Sequence, residues 1–241
     1  MFLKIESQAV HALYESMVVM KRILVIGSQG TIGSALVKEL ALENTVHTIS
    51  RDQCDYSEQT LAQLAREIKE QGSLQQIYCC IGVLHNDFVS PEKRMASLDA
   101  EKLSEYFYIN SILPALCLKC FSPLLDKTQN SQFVLLSAMV GSIEDNQLGG
   151  WYGYRSSKAA LNMLSKTASI ELGRTNKHAS VAVIHPGTTR GDLSKPFASG
   201  ISKEKYYSAE ESAQRIVAVA DDLTPSNSGQ FFNWDGSNLP W

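Results

Sequence analysis

From Lys21 onward, short apolar runs alternate with longer stretches of helical period, the pattern of a parallel sheet joined by crossover helices. The alternation predicts strands at Arg22–Ile26, Val46–Ser50, Gln76–Ile81, Gln132–Ser137, Val181–His185 and Gly229–Asn233. Helices are predicted at Thr31–Leu42, Ser57–Gln71, Tyr152–Gly173 and Ala209–Leu223, with a long helical stretch at Asp99–Leu125 interrupted by Pro114. A further short strand is expected near Gln53–Asp55, so soon after Val46–Ser50 that no crossover helix fits between the two. Asp55 followed by Glu58 reads as a capping box for the helix that starts at Ser57, and Gly72 as its stop. No repeat, charge block or low-complexity linker divides the pattern, so residues 21–241 are expected to form one α/β domain, a parallel sheet with helices on both faces in three layers.

Residues 1–20 are expected to be an extension ahead of this domain, because Met20 stands directly before the first strand. Glu6, His11 and Glu15 break up the apolar residues there, so neither a secretory signal nor a membrane span is predicted. Composition narrows the remaining classes. Of 241 residues, 44% are hydrophobic and 20% charged, which excludes a disordered or fibrous chain. Lys and Arg number 22 against 25 Asp and Glu, a net charge of −3 that favours neither nucleic acid nor an anionic membrane as partner. Five cysteines, an odd number without framework spacing, suggest reduced thiols and hence a cytoplasmic protein. Cys117-x-x-Cys120 falls in an apolar helical run and reads as buried core; the five histidines are scattered, and His185 reads as structural, so no metal site is predicted.

The first strand runs into Gly27-Ser28-Gln29-Gly30-Thr31-Ile32-Gly33 and then a helix. Glycine suits such a turn because the backbone angles are unusual and a side chain would hold a pyrophosphate away from the helix N-terminus. Its place after the first strand makes this a dinucleotide-binding, Rossmann-type turn. The second strand ends Ser50-Arg51, with no acid at its tip to hold a ribose 2′-hydroxyl. Arg51 can form a charge-assisted fork to a 2′-phosphate, which favours NADP(H) over NAD(H), although the adjacent Asp52 can oppose it.

Tyr154 and Lys158, four residues apart in WYGYRSSKAALNML, lie on one face of the predicted helix. An ammonium beside a phenol lowers its pKa from about 10 toward the working range, so that Tyr154 can pass a proton to a carbonyl oxygen while hydride reaches the carbon. With the glycine turn, CCIG at Cys79–Gly82, Asn110, YRSSK at Tyr154–Lys158, HPG at His185–Gly187 and the terminal FFNWDG, residues 21–241 resemble the short-chain dehydrogenase/reductase family, especially its C-factor and carbonyl-reductase-like branch. The resemblance implies that Tyr154 is the catalytic acid–base, that Lys158 binds the nicotinamide ribose and lowers the Tyr154 pKa, and that Asn110 anchors a proton-relay water. Pro114 suits that role, since it has no N–H for the Asn110 carbonyl four residues back. Cofactor contacts are implied at Gly27, Ser28, Gly30, Thr31, Ile32 and Gly33 in the turn, at Ser50, Arg51 and Asp55 beyond the second strand, and at Ile81 and Gly82. They are implied too at Asn110, Tyr154 and Lys158, and at Pro186, Gly187, Thr188 and Thr189.

Four features depart from the family pattern. The glycines are spaced Gly27-x-x-Gly30-x-x-Gly33 rather than G-x-x-x-G-x-G. The asparagine-rich turn after the fourth family strand is Cys79-Cys80-Ile81-Gly82. The catalytic serine position is Ala138, leaving Ser142, or failing it Ser137, to supply a hydroxyl; strand alternation points Ser137 away from Ala138 and favours Ser142. The threonine expected after Pro186-Gly187 falls on Gly191, leaving Thr188 and Thr189. Arg190–Ser208 is expected to be the substrate lid, with Trp151, Tyr206 and Tyr207 near the substrate.

The function these residues imply is NADP(H)-dependent interconversion of a small-molecule carbonyl and its alcohol. An NADP-binding sensor or C-factor-like signalling protein is the rival, supported by Ala138 and opposed by the intact Tyr154, Lys158 and Asn110. An epimerase-type use of the same pair would need a larger C-terminal region than the chain has after Pro186. The family resemblance leaves a homo-oligomer open.

Overall fold

The computed structural model describes residues 20–200 and 202–241; the expected extension lies almost wholly outside them. Strands β1 (Arg22–Ile26), β2 (Thr45–Ile49), β3 (Gln76–Cys79), β4 (Ser131–Leu136), β5 (Ala179–His185) and β8 (Phe231–Asn233) form one sheet in the order β2-β1-β3-β4-β5-β8. Every pairing in it is parallel. Two short strands, β6 (Thr188–Thr189) and β7 (Tyr206–Tyr207), pair parallel to each other beyond the end of β5.

Alternation along each strand divides the core into two layers. Leu24, Ile26, Ile77, Cys79, Phe133, Leu135, Val181 and Val183 face one side. There they meet helices α2 (Glu58–Glu70) and α4 (Leu113–Phe121), with Leu161 of α5 (Tyr152–Thr175). Ile23, Val25, Tyr78, Val134, Leu136, Ala182 and Ile184 face the other side, against α1 (Thr31–Leu40) and α6 (Ala209–Asp221). Because β2 and β3 flank β1 on opposite sides, the crevice at their C-terminal ends is the switch point at which such sheets hold ligands.

The expected strand at Gln53–Asp55 does not form, so no crossover helix is missing. Ser50–Cys54 is instead a tight turn in which the Ser50 carbonyl accepts from the N–H groups of Gln53 and Cys54, and the Gln53 amide oxygen accepts from Ser50 N–H. The α2 cap also differs from expectation: Ser57 is the N-cap, accepting from Thr60 N–H, while Asp55 accepts from Ser57 N–H.

The long helical stretch is α3 (Ala100–Phe107), a π turn at Tyr108–Ile112, and then α4. The ladder widens one turn before Pro114, where Leu113 N–H donates to the carbonyl of Tyr108. Ala100–Leu124 is apolar and long enough to cross a membrane by composition alone, but Leu113, Cys117, Leu118 and Phe121 pack into the sheet's core.

Candidate active site

The glycine turn is built by close backbone contact. Gly27 has φ +79° and donates to the Ile49 carbonyl at 2.8 Å, tying the β1 turn to the end of β2. A Cβ on Gly33 would lie 2.2 Å from the Gly27 carbonyl oxygen, so only glycine lets α1 start this close to the turn. Gly30 is the N-cap of α1, and no side chain caps the helix. Its first N–H groups therefore have no capping side chain of this helix, which leaves them available to an anion. Ser28 directs its hydroxyl to the Ile49 carbonyl. Ser50 gives its own to Gln53, and Asp55 accepts from Ser57 N–H at the start of α2. Arg51 is exposed, and Asp52 accepts from the Gln29 amide at 2.7 Å.

At the ends of β3 and β4, three predicted residues converge. A Cβ on Gly82 would come 3.1 Å from Lys158 Nζ and 3.4 Å from Asn110 Oδ1. Asn110, fully buried in the π turn, accepts from Val83 N–H at 2.7 Å and donates to the Val83 carbonyl at 3.0 Å. Its amide also donates to Ser157 Oγ, which donates to the Tyr154 carbonyl. Lys158, buried one turn after Tyr154, donates to the Leu136 carbonyl at the end of β4 at 3.0 Å. Ser157 escaped the sequence reading, although its place within YRSSK puts it on the same helix face as Tyr154.

Tyr154 is 7% exposed, within a cluster of Leu84, Val89 and Tyr106 that Val83, Ala138, Val140, Trp151 and Phe197 adjoin. Its ring meets Trp151 edge-on at 6.3 Å and Tyr106 at 6.4 Å between centroids. Phe197 reaches this wall from the expected lid, 5.1 Å from the Trp151 ring. The β6–β7 pair pinches the base of the lid, and His85 Nε2 donates to the Asp192 carbonyl at 3.0 Å. Gly191 stands where the family has threonine because a Cβ there would lie 2.5 Å from Thr31 Oγ1. Pro186 and Gly187 form the turn after β5; Gly187, at φ +76°, packs against Tyr207 and Trp234. Thr188 and Thr189 form β6, and the Thr189 hydroxyl is 2.7 Å from that of Ser212.

The glycine turn, uncapped helix and buried Tyr–Lys–Asn group lie at the C-terminal ends of the sheet strands. A family model described as enoyl-(acyl carrier protein) reductase, of the short-chain dehydrogenase/reductase family, matches residues 22–232. The chain is a short-chain dehydrogenase/reductase. It is 32% identical over 186 residues to the 1-hydroxy-2-glutathionyl-2-methyl-3-butene dehydrogenase of Rhodococcus sp. (strain AD45), covering 77% of this chain and 76% of that one. It is 31% identical over 147 residues to the C-signal protein of Myxococcus xanthus, covering 61% and 83%. Its fold matches the carbonyl reductase Sniffer of D. melanogaster with a TM-score of 0.76 and 23% identity, over 92% of this chain and 100% of that one. An NADPH-bound carbonyl reductase from chicken fatty liver matches at 0.75 and 22% identity, over 92% and 99%.

As an oxidoreductase of this family, the chain departs from expectation at two points. Neither Ser142 nor Ser137 joins Tyr154. Ser142 donates to the Trp241 carbonyl and accepts from Asp145 N–H, while Ser137 donates to Asn162 Oδ1. It is Ala138 that adjoins the Tyr154 cluster, so the position is occupied by a methyl group. The second departure is electrostatic. Burial pushes the Tyr154 phenol up from its ordinary value, where proximity to Lys158 was expected to lower it. Burial also lowers Lys158 to about 8, against the opposing pull of the Cys79 and Cys80 thiols. Desolvation is the largest influence on both groups.

The residues fit a nicotinamide dinucleotide. The uncapped α1 start suits the pyrophosphate, and the side-chain-free space at Gly82 opens beside Lys158 and Asn110. Among the described residues, no group of three or more His, Cys, Asp or Glu is placed to hold a metal ion. Cys117 is buried in the core, and Cys120 packs against it from the edge.

Proposed function

We propose that the protein reduces an apolar or aromatic aldehyde or ketone to its alcohol with NADPH, and runs the reverse oxidation with NADP+. The observation that carries this reading is the burial of Tyr154 and Lys158 together at the C-terminal ends of the sheet strands, below an aromatic wall. The α1 turn would hold the nicotinamide cofactor, which would supply the hydride. Tyr154 holds the proton that reaches the carbonyl oxygen, and its raised pKa keeps it protonated until that transfer. Lys158, still cationic near neutral pH, compensates the phenolate left behind and binds the ribose. Asn110 fixes the position of Val83 and, through Ser157, the turn of α5 between Tyr154 and Lys158. Trp151, Phe197 and Val140 exclude water and set the preference for an apolar substrate. Arg51, free of the Gln29-bound Asp52, selects the 2′-phosphate. A cytoplasmic location belongs to this reading, on cysteine usage alone.

The test is NADPH oxidation with a panel of aldehydes, ketones and quinones, comparing wild type with Tyr154→Phe and measuring NADPH binding separately. Turnover that vanishes in the variant while binding persists supports the reading; equal turnover in both removes Tyr154 from it. Ala138 favours one alternative, an NADP-binding sensor with little turnover, and tight NADPH binding without reduction of any substrate would shift the assignment there.

A further inference from the structure

Helix α5, which carries Tyr154 and Lys158, starts without a capping side chain of its own. The approach is strained: Gly149, Gly150 and Trp151 have φ of +65°, +66° and +52°, and left-handed backbone is disfavoured for a tryptophan. Arg155 Nε donates to the Gly150 carbonyl and Asn146 Oδ1 accepts from Gly149 N–H, while the N–H groups of Trp151 and Gly153 are taken by one residue from a distant loop, 61 positions before Gly153. The Glu92 carbonyl accepts from Trp151 N–H at 2.5 Å, and its Oε2 accepts from Gly153 N–H at 3.1 Å. Glu92 is 5% exposed, and its other oxygen, Oε1, has no partner. A Cβ on Gly153 would lie 2.9 Å from Oε1 and 2.4 Å from the Tyr106 ring, so glycine there makes room for both.

We propose that Glu92 is a positioning residue: it caps the catalytic helix from outside and thereby holds Trp151 in the wall beside Tyr154. A carboxylate at a helix N-terminus is favoured by the helix dipole, and two acceptors on one residue fix both the start of the helix and the angle at which the chain enters it. The Trp151 ring, 6.3 Å from Tyr154 and 5.1 Å from Phe197, takes its place from that angle. The effect on turnover rests on the reading of Tyr154 given above; the cap itself does not.

The test compares Glu92→Ala, Glu92→Gln and wild type by hydrogen exchange over residues 149–157 and by kcat and KM for NADPH, with Tyr154→Phe as a control. In Glu92→Ala, exchange at Tyr152–Arg155 is expected to rise about tenfold with the rest of the chain unchanged. Its kcat is expected to fall about tenfold while the KM for NADPH stays within about twofold. Glu92→Gln, which keeps an oxygen to accept from Gly153, recovers most of both. Unchanged exchange at Tyr152–Arg155 overturns the proposal. So does faster exchange spread over the whole chain, or local loosening without loss of kcat. If Glu92→Ala does not fold, Glu92→Asp replaces it, its carboxylate one methylene short of Gly153. If wild type reduces nothing, the proposed function fails, and the exchange data still decide whether Glu92 caps the helix.

Discussion

Replacing Lys158 by methionine is predicted to stabilise the cofactor-free protein while it removes activity. Burial lowers the lysine from 10.5 to about 8, a difference that corresponds to roughly 3 kcal/mol against the folded, charged form. The sign follows from proton binding. Below pH 8 the lysine is charged in both states and the penalty is complete. Between pH 8 and 10.5 the unfolded chain binds the extra proton, so wild-type stability rises with pH and the penalty fades. The substitution also removes the bond to the Leu136 carbonyl, an opposing loss of roughly 1–2 kcal/mol. The net gain near pH 7 is about 1–2 kcal/mol, or about 2–8 °C in Tm for a chain of this size. Thermal unfolding of both proteins from pH 6.5 to 10.5 checks this, with NADPH oxidation measured in parallel. A variant that melts no higher than wild type at pH 7, with a difference that ignores pH, would falsify the argument that Lys158 is held at an energetic cost to the fold.

Ala138→Ser is expected to return a second donor to the substrate oxygen and raise kcat by about tenfold or more; steady-state rates no higher than wild type would show that position 138 does not face that oxygen. Arg51→Ala is expected to raise the KM for NADPH about tenfold and leave that for NADH unchanged, as the loss of one charge-assisted contact predicts. Equal effects on the two cofactors would refute 2′-phosphate recognition by Arg51. Gly33→Ala places a methyl 2.2 Å from a backbone oxygen that cannot turn aside. It should cost roughly 2 kcal/mol or more and weaken NADPH binding, and wild-type stability and affinity together would refute the tight fit between α1 and the turn.

The fold was legible wherever side-chain period and burial agree. Ile23 and Val25 face one layer and Leu24 and Ile26 the other, so β1 is apolar throughout and reads as a buried parallel strand. The strand expected at Gln53–Asp55 failed because three residues carry no usable period, and the Gln53 side chain folds back on Ser50 instead. In the site, Tyr154 and Lys158 were read from their four-residue spacing, and Asn110 from the family resemblance together with Pro114. The contribution of Glu92 could not be, since a cap supplied from 61 residues away leaves no local pattern. Ser142 illustrates the converse limit. Alternation correctly separated Ser137 from Ala138, but the loop beyond β4 is not a strand, and its serine turns to the carbonyl of Trp241.

These particulars bear on one another. With a methyl group at position 138, the proposed reaction relies on Tyr154 as the donor that polarises the carbonyl. A single donor gains most where water is excluded, because a hydrogen bond strengthens as the local dielectric falls. The aromatic wall of Trp151 and Phe197 supplies that exclusion, and it depends on a left-handed tryptophan that the backbone alone disfavours. The burial of a glutamate with one oxygen unpartnered is then intelligible, because the same residue that bears this cost holds the wall in place and aligns the helix on which the proton donor sits.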